Sequence, residues 1–89
     1  MRLGLDMFLV DVSAELGRAE AEYGAFHSHH EGYATLLEEV QEYWDEVKKK
    51  PALRDEAAMY KELVQVATMA WRIVRDLGLD SQRSLHGGA

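Results

Sequence analysis

The sequence predicts an all-α fold, a bundle of about three helices per chain that is completed by oligomerisation. Apolar residues recur at three- and four-residue steps along three long segments, which is the spacing of amphipathic helices. One proline and few runs of β-branched residues favour helices over strands. At 89 residues the chain is too short to divide into domains, so we expect a single helical domain over 1–79 and a flexible tail over 80–89.

Composition and charge exclude several classes of function. Sixteen acidic residues against ten basic ones give a formal net charge of −6, which disfavours nucleic acids and anionic membranes as partners. The absence of cysteine excludes disulfides, thiolate zinc sites and thiol catalysis. The apolar stretch from Met7 to Val10 is flanked by Asp6 and Asp11, so it is too short for a signal peptide or a membrane span. We therefore expect a cytoplasmic protein.

The first predicted helix runs from Leu3 to Tyr23 and is followed by Gly24, a residue suited to cap its C-terminus. The segment 25–30 is then a short connection to the second helix. The apolar residues of the first helix form one stripe: Leu5, Phe8, Leu9, Val12, Leu16, Ala19 and Tyr23.

The second predicted helix begins after Ser28, which fits a capping box with Glu31. It runs to Lys50, because Pro51 discourages continuation. At 100° per residue its apolar residues occupy an arc of about 120°. They are Tyr33, Leu36, Leu37, Val40, Tyr43, Trp44 and Val47.

The third predicted helix begins within 52–56, where Asp55 is a candidate N-cap, and ends near Leu77, where Gly78 is the candidate C-cap. From 63 to 74 it is apolar over most of its circumference, which is typical of a helix buried on more than one side. Two partner helices from so short a chain barely cover it. We therefore expect a homodimer or a homotetramer.

Four glutamates of the second helix lie on an arc of about 100° opposite its apolar face: Glu38, Glu39, Glu42 and Glu46. Like charges three or four residues apart destabilise an isolated helix by roughly 0.2–0.5 kcal/mol per pair. Glu39 and Glu42 have no base at these spacings on their own helix. A Mg²⁺ ion would relieve the repulsion, because it takes oxygen ligands and is often held by carboxylates together with substrate phosphates. The alternative is that the arc is a solvated helix face.

One polar stripe interrupts the apolar surface of the third helix: Lys61, Glu62, Gln65, Thr68, Arg72 and Asp76. Glu62 and Gln65 are three residues apart, like Glu39 and Glu42, so the members of each pair point at one spot. If the second and third helices pack antiparallel across a short turn, the two pairs face each other at a similar height. The alternative is again a stripe exposed to solvent.

The segment Glu38-Glu39-Val40-Gln41-Glu42, followed after nineteen intervening residues by Glu62-Leu63-Val64-Gln65, resembles a known motif. It is similar to the EExxE…ExxD pattern of the MazG-like all-α nucleoside triphosphate pyrophosphohydrolases. The resemblance covers the second and third helices, and the stretch 26–33 also resembles small phage and bacterial members of that family. It implies an oligomeric helical bundle that uses Mg²⁺, or Mn²⁺, to hydrolyse a nucleoside or deoxynucleoside triphosphate to its monophosphate and pyrophosphate.

Carried over residue by residue, the resemblance places the metal ligands of the family on Glu39, Glu42 and Glu62. It makes Glu38, with Glu39, the candidate catalytic pair that orients water or holds a second ion, and Glu46 extends the acidic arc as a further candidate ligand. Gln65 stands where the family has aspartate. Its carbonyl can ligate a hard cation but brings no charge and cannot accept a proton. The alternative is therefore a non-catalytic interaction or nucleotide-binding bundle that has lost full metal ligation.

Basic and aromatic residues supply further candidates. Lys61 and Arg72 are candidate phosphate partners, although each is equally well explained as a surface base, and Arg72 has Asp76 four residues on as a partner. Trp44 and Trp71 have the chemistry to stack on a nucleobase. Both lie in apolar surroundings, which is more typical of a core or an interface.

Three histidines, His27, His29 and His30, suggest a zinc site. The chain has no cysteine to complete one, and the histidines lack the i, i+4 spacing of two helical zinc ligands. We interpret them as loop residues at the start of the second helix, with His29 as a candidate contact to a base or a phosphate.

Overall fold

The computed structural model describes residues 3–82. Over that range the chain is helical and contains no strand, so the predicted all-α class is confirmed. Three α-helices, α1 (Leu3–Tyr23), α2 (His29–Val47) and α3 (Glu56–Asp76), are joined by short connections, with 3₁₀ turns over Pro51–Leu53 and Leu79–Gln82. The segment predicted as a flexible tail begins inside the second of these turns, and its remainder, 83–89, lies outside the described residues.

The helix ends follow the capping residues of the sequence. Gly24 has a φ of 76° and ends α1, as predicted. The Ser28 hydroxyl accepts a hydrogen bond from the Glu31 N–H at 3.1 Å, and the Glu31 carboxylate accepts one from the His27 N–H at 2.6 Å. In the predicted capping box the Glu31 side chain would bond to the N–H of the N-cap, Ser28. It bonds instead to the N–H of His27, the residue before the N-cap. At the start of α3 the Asp55 carboxylate accepts from the Ala58 N–H at 3.1 Å.

The helix α2 ends at Val47, three residues before the predicted end. The Val47 carbonyl accepts a hydrogen bond from Arg54 Nε at 2.9 Å, which satisfies one of the free carbonyls of the last turn. In the same connection the Glu46 carboxylate accepts from the Asp55 N–H at 2.7 Å. These bonds link the end of α2 to the start of α3 and make the two helices a hairpin.

The helices α2 and α3 pack antiparallel along their length. The Glu46–Asp55 bond lies at the turn, and Gly32 meets Ile73 at the other end. A Cβ on Gly32 would lie 2.7 Å from Ile73 Cγ1, so the glycine permits the close approach of the two helices there. The antiparallel arrangement that the sequence analysis assumed is therefore present.

The helix α1 packs against α3 in a parallel direction. Tyr60, near the start of α3, donates to the Asp11 carboxylate in the first half of α1, and Arg72 donates to the Gly24 carbonyl where both helices end. Within the described residues α1 and α2 barely touch each other, so α3 is the element that connects them. The buried apolar side chains are few and lie mostly along these contacts: Val12, Leu16, Ala19, Phe26, Val64 and Met69.

Apart from the exposed Lys61, the polar stripe of α3 points into the bundle, so the alternative of a solvent-exposed stripe is wrong for these five residues. Thr68 is fully buried, and its hydroxyl donates to the Val64 carbonyl at 2.8 Å. Arg72 is only 2% exposed, and Glu62 is half-buried. These polar groups occupy the side of α3 that faces α1 and α2.

Apolar side chains lie instead on the outside of α2 and α3, and we call these seven residues the outer apolar face: Tyr33, Leu37, Val40, Trp44, Leu63, Trp71 and Val74. All seven are exposed, with Trp44 at 56% and Trp71 at 41%. At 100° per residue they lie on the opposite side of each helix from the acidic arc and the polar stripe. The single chain therefore leaves this surface uncovered. In the described range, none of the helices combines the length and apolarity needed to traverse a bilayer.

Candidate functional site

An open groove of about 530 Å³ runs between α1 and α2, with α3 as its floor. It exists because α3 packs against both helices while they barely touch each other. The wall formed by α2 is acidic and includes Glu38, Glu39 and Glu42. Cationic side chains line other parts of the groove, among them Arg18 on the α1 wall and Lys61 on the floor formed by α3. Charges of both signs therefore face one space.

Three carboxylates converge in this groove, and we call Glu39, Glu42 and Glu62 the glutamate cluster. One carboxylate oxygen of each lies within 4.8 Å of the others. The three-residue spacing puts Glu39 and Glu42 on one edge of α2, and the antiparallel packing brings Glu62 of α3 to the same height. Among the side chains that the structure describes, residues 7–82, no other group of three or more acidic or histidine residues comes together in this way.

The glutamate cluster is electrostatically strained. Burial, followed by the charge of Glu42, raises the pKa of Glu39 to about 7. Burial and the neighbouring Glu42 also raise the pKa of Glu62. One oxygen of Glu62 is buried without any hydrogen-bond partner. A carboxylate that lacks a donor and faces two other carboxylates is stabilised by a proton or by a cation.

The metal-free protein is expected to draw stability from the protonation of Glu39. Because the pKa of Glu39 is higher in the folded chain than its usual 4.5, this contribution is fully present below about pH 4.5 and is lost as the pH rises through 7. After allowance for solvent screening, the contribution is on the order of 1–2 kcal/mol. Urea unfolding in EDTA between pH 4.5 and 8 measures it as the difference between the wild-type chain and Glu39→Gln. A constant difference across this range would contradict the assignment.

Gln65, the position at which the sequence departs from the family motif, contacts a residue of α1 that the sequence analysis missed. Its side-chain nitrogen donates to Glu15 Oε2 at 2.8 Å. Glu15 also forms an ion pair with Arg18, which is the first cause of its lowered pKa. Nothing in the local pattern of α1 indicates which of its acids would meet α3, because that depends on how the two helices pack.

The other two glutamates of the acidic arc have different surroundings. Glu38 is exposed on the α2 wall of the groove, beside the glutamate cluster but not within it. Glu46 does not line the groove. Its carboxylate accepts from the Asp55 N–H and from Lys49, and the first of these bonds is the main cause of its lowered pKa. The Glu46 carboxylate therefore stabilises the α2–α3 turn and does not belong to the glutamate cluster.

Arg72 lines the groove and is buried rather than exposed as a surface base. Its guanidinium lies 4.2 Å from the centroid of the Phe26 ring and donates to the Gly24 carbonyl at 2.5 Å. Its Nε is buried without a partner. Asp76, the pairing partner considered in the sequence, instead accepts from the Phe26 N–H at 2.9 Å. These contacts hold the α1–α2 connection, which contains Gly24 and Phe26, against the last turns of α3.

The remaining candidates lie outside the groove. His27, His29 and His30 are exposed around the start of α2, and none of them joins the glutamate cluster. Trp44 and Trp71 belong to the outer apolar face and do not line the groove, so neither is positioned to stack on a base bound there.

The groove therefore combines oxygen ligands suited to a hard divalent cation with cationic side chains suited to an anion. Such a combination can hold a polyanion that arrives with its own metal ion, because the ion reverses the local electrostatic preference. Comparisons of the chain with models of protein families, with curated proteins and with solved structures found no match, so the resemblance to the MazG-like family rests on the motif and the helical context alone.

Proposed function

We propose that the protein is a Mg²⁺-dependent nucleotide pyrophosphohydrolase of the MazG-like kind, which cleaves a nucleoside or deoxynucleoside triphosphate to the monophosphate and pyrophosphate. The observation that carries this proposal is the convergence of Glu39, Glu42 and Glu62 in a groove that also presents Arg18 and Lys61. The unpartnered buried oxygen of Glu62 supports it, because the cluster needs a positive charge.

The glutamate cluster fits a divalent cation in both spacing and chemistry. Oxygen ligands of one Mg²⁺ lie at about 2.1 Å from the ion, so two of them are separated by roughly 3 to 4.2 Å. The three oxygens of the cluster lie within 4.8 Å of one another, a separation that small rotations of the side chains would reduce to the required range. Mn²⁺ takes the same oxygen ligands and is expected to substitute.

In the proposed reaction a bound cation would neutralise the charge that develops on the phosphate oxygens during in-line displacement. Glu39, Glu42 and Glu62 would hold this cation through carboxylate oxygens. Glu38, which precedes Glu39 on the same wall, orients the attacking water towards the groove. Lys61 of α3 also lines the groove, and its ammonium group can pair with a phosphate oxygen there.

The test is to incubate the wild-type chain with a panel of ribo- and deoxyribonucleoside triphosphates and Mg²⁺ and to measure pyrophosphate and monophosphate together. We expect equal amounts of the two products, and no release in EDTA. Mn²⁺ in place of Mg²⁺ serves as a second arm. Release of orthophosphate instead of pyrophosphate, or no release with either ion, would contradict the proposal.

A second candidate function is favoured by Gln65, which supplies no charge to the groove and is bonded to Glu15. A bundle with only three carboxylates could bind a nucleotide without turning it over, or serve only as an interaction module. Calorimetry with Mg²⁺ and a non-hydrolysable triphosphate separates these functions. An interaction module binds neither, whereas a nucleotide-binding protein binds both but yields no pyrophosphate from the natural substrate.

We also propose that a second copy of the chain covers the outer apolar face, giving a homodimer or a homotetramer. The face carries two exposed tryptophans, Trp44 and Trp71, at helical spacings that suit packing against another helix pair. It lies on the opposite side of α2 and α3 from the groove. Assembly through this face would therefore leave the groove open to its substrate.

A further inference from the structure

We propose that Glu15 of α1 is a positioning residue for the proposed metal site, and that it acts by fixing the amide of Gln65 so that the carbonyl oxygen faces the groove. This inference rests on the proposed function, because it assigns the ligand that stands in place of the aspartate of the motif. The structural basis is the bond from Gln65 Nε2 to Glu15 Oε2 at 2.8 Å.

The direction of this bond determines how the amide is turned. A carboxylate only accepts hydrogen bonds, so the NH₂ group of Gln65 must face Glu15. The two heteroatoms of an amide point away from each other, and Gln65 also lines the groove that contains the glutamate cluster. We therefore infer that its carbonyl oxygen, which points away from Glu15, faces that groove, where it can act as a neutral ligand for a hard cation.

Glu15 is itself held in place. Arg18 Nε donates to both of its carboxylate oxygens at 3.0 Å, and the Glu15 side chain is only 15% exposed. The chain from Arg18 through Glu15 to Gln65 thus runs from the surface of α1 to the floor of the groove. Outer partners of this kind orient metal ligands, and their removal typically lowers metal affinity 10- to 100-fold.

The same contact accounts for the departure from the motif. An acidic side chain at position 65 would face the carboxylate of Glu15 with no donor between them, and like charges at this distance repel. Glutamine provides the donor that Glu15 requires. In this chain, therefore, the acid next to position 65 lies on α1 and is linked to Gln65 by one hydrogen bond.

The test measures Mn²⁺ binding by calorimetry in the full chain. Glu15→Ala is expected to weaken Mn²⁺ binding about tenfold. The matched control is Glu22→Ala, which removes the same charge and the other ion pair of Arg18 but has no contact with Gln65. That variant is expected to bind Mn²⁺ like the wild-type chain, and circular dichroism checks that both variants are folded.

A charge exchange keeps the inference testable even if Glu15→Ala fails to fold. Glu15→Gln combined with Gln65→Glu reverses the hydrogen bond with side chains of the same lengths, and we expect it to bind Mn²⁺ at least as tightly as the wild-type chain. Gln65→Glu alone is expected to be less stable than the double variant. If Glu15→Ala and Glu22→Ala weaken Mn²⁺ binding equally, or if Glu15→Ala does not weaken it, the positioning role of Glu15 is overturned. The proposed function of the protein is not affected by either result. A wild-type chain that binds no Mn²⁺ would overturn the proposed function as well.

Discussion

Replacing Glu39 and Glu42 together by glutamine is expected to abolish pyrophosphate release and, at the same time, to stabilise the metal-free fold. Both side chains supply oxygens to the glutamate cluster, so their loss removes two of its three charges. We expect activity to fall at least about 100-fold, because the loss of even an outer partner of a metal ligand lowers affinity or activity 10- to 100-fold. The pyrophosphate assay with Mg²⁺ measures this change directly.

The gain in stability has an electrostatic origin. At pH 7.5 the wild-type cluster holds carboxylates that repel one another, and burial raises the pKa of Glu39 to about 7. Amides of the same shape remove that repulsion, so we expect the free energy of unfolding in EDTA to rise by about 1–2 kcal/mol. Saturating Mg²⁺, at about 100 times its Kd, should stabilise the wild-type chain by about 2.7 kcal/mol and the double variant by none.

The matched control is Asp45→Asn with Glu56→Gln. It removes two acids as well, one from each of the helices that carry the glutamate cluster, and both are exposed and lie outside the groove. Turnover and the stabilisation by Mg²⁺ should remain at the wild-type level in this control. Wild-type turnover in the cluster variant, or an equal loss in the control, would show that the groove is not the active site.

The substitution Trp71→Glu is expected to dissociate the proposed oligomer. The side chain is 41% exposed in the single chain and lies on the outer apolar face, so a partner subunit would bury it. An unpaired charge in an apolar interface costs several kcal/mol, which corresponds to a dissociation constant weakened by more than about 100-fold. Light scattering after size exclusion should show the mass fall to that of one chain, 10.1 kDa.

Leu53→Glu is the control for this substitution. Leu53 is 67% exposed, more than Trp71, but it lies in the turn between α2 and α3 and not on the outer apolar face. The assembly should survive it. A wild-type chain of monomeric mass at 100 μM, or equal dissociation by both substitutions, would contradict the proposed interface.

Local sequence signals were sufficient to predict the three helices and the part of the site that lies on α2 and α3. Gly24, Ser28 and Asp55 mark helix ends because caps act through the backbone of the nearest turn. The approach of Glu39 to Glu62 follows from helical spacing and a short hairpin, which together leave little freedom. These features depend on residues that are close in sequence.

The features that the sequence did not reveal depend on packing between distant segments. Periodicity shows that Trp71 and Arg72 lie on different sides of α3, but not which side faces the rest of the chain. The rule that apolar residues are buried does not decide between the two sides, because the chain itself leaves apolar side chains of α3 exposed. The pairing of Glu15 with Gln65 was equally inaccessible, since any of several acids on α1 could have met α3.

The connection of α1 to α3 has a consequence for the chain entropy of the site. The Asp55–Glu46 bond, which joins α2 to α3, closes a loop of nine residues, whereas the Gln65–Glu15 bond closes one of fifty. By the dependence of closure entropy on loop length, the longer loop costs about 1.5 kcal/mol more to close. The glutamate cluster therefore lies in the α2–α3 hairpin, whose closure costs less chain entropy. Bringing the α1 wall of the groove into place costs more chain entropy.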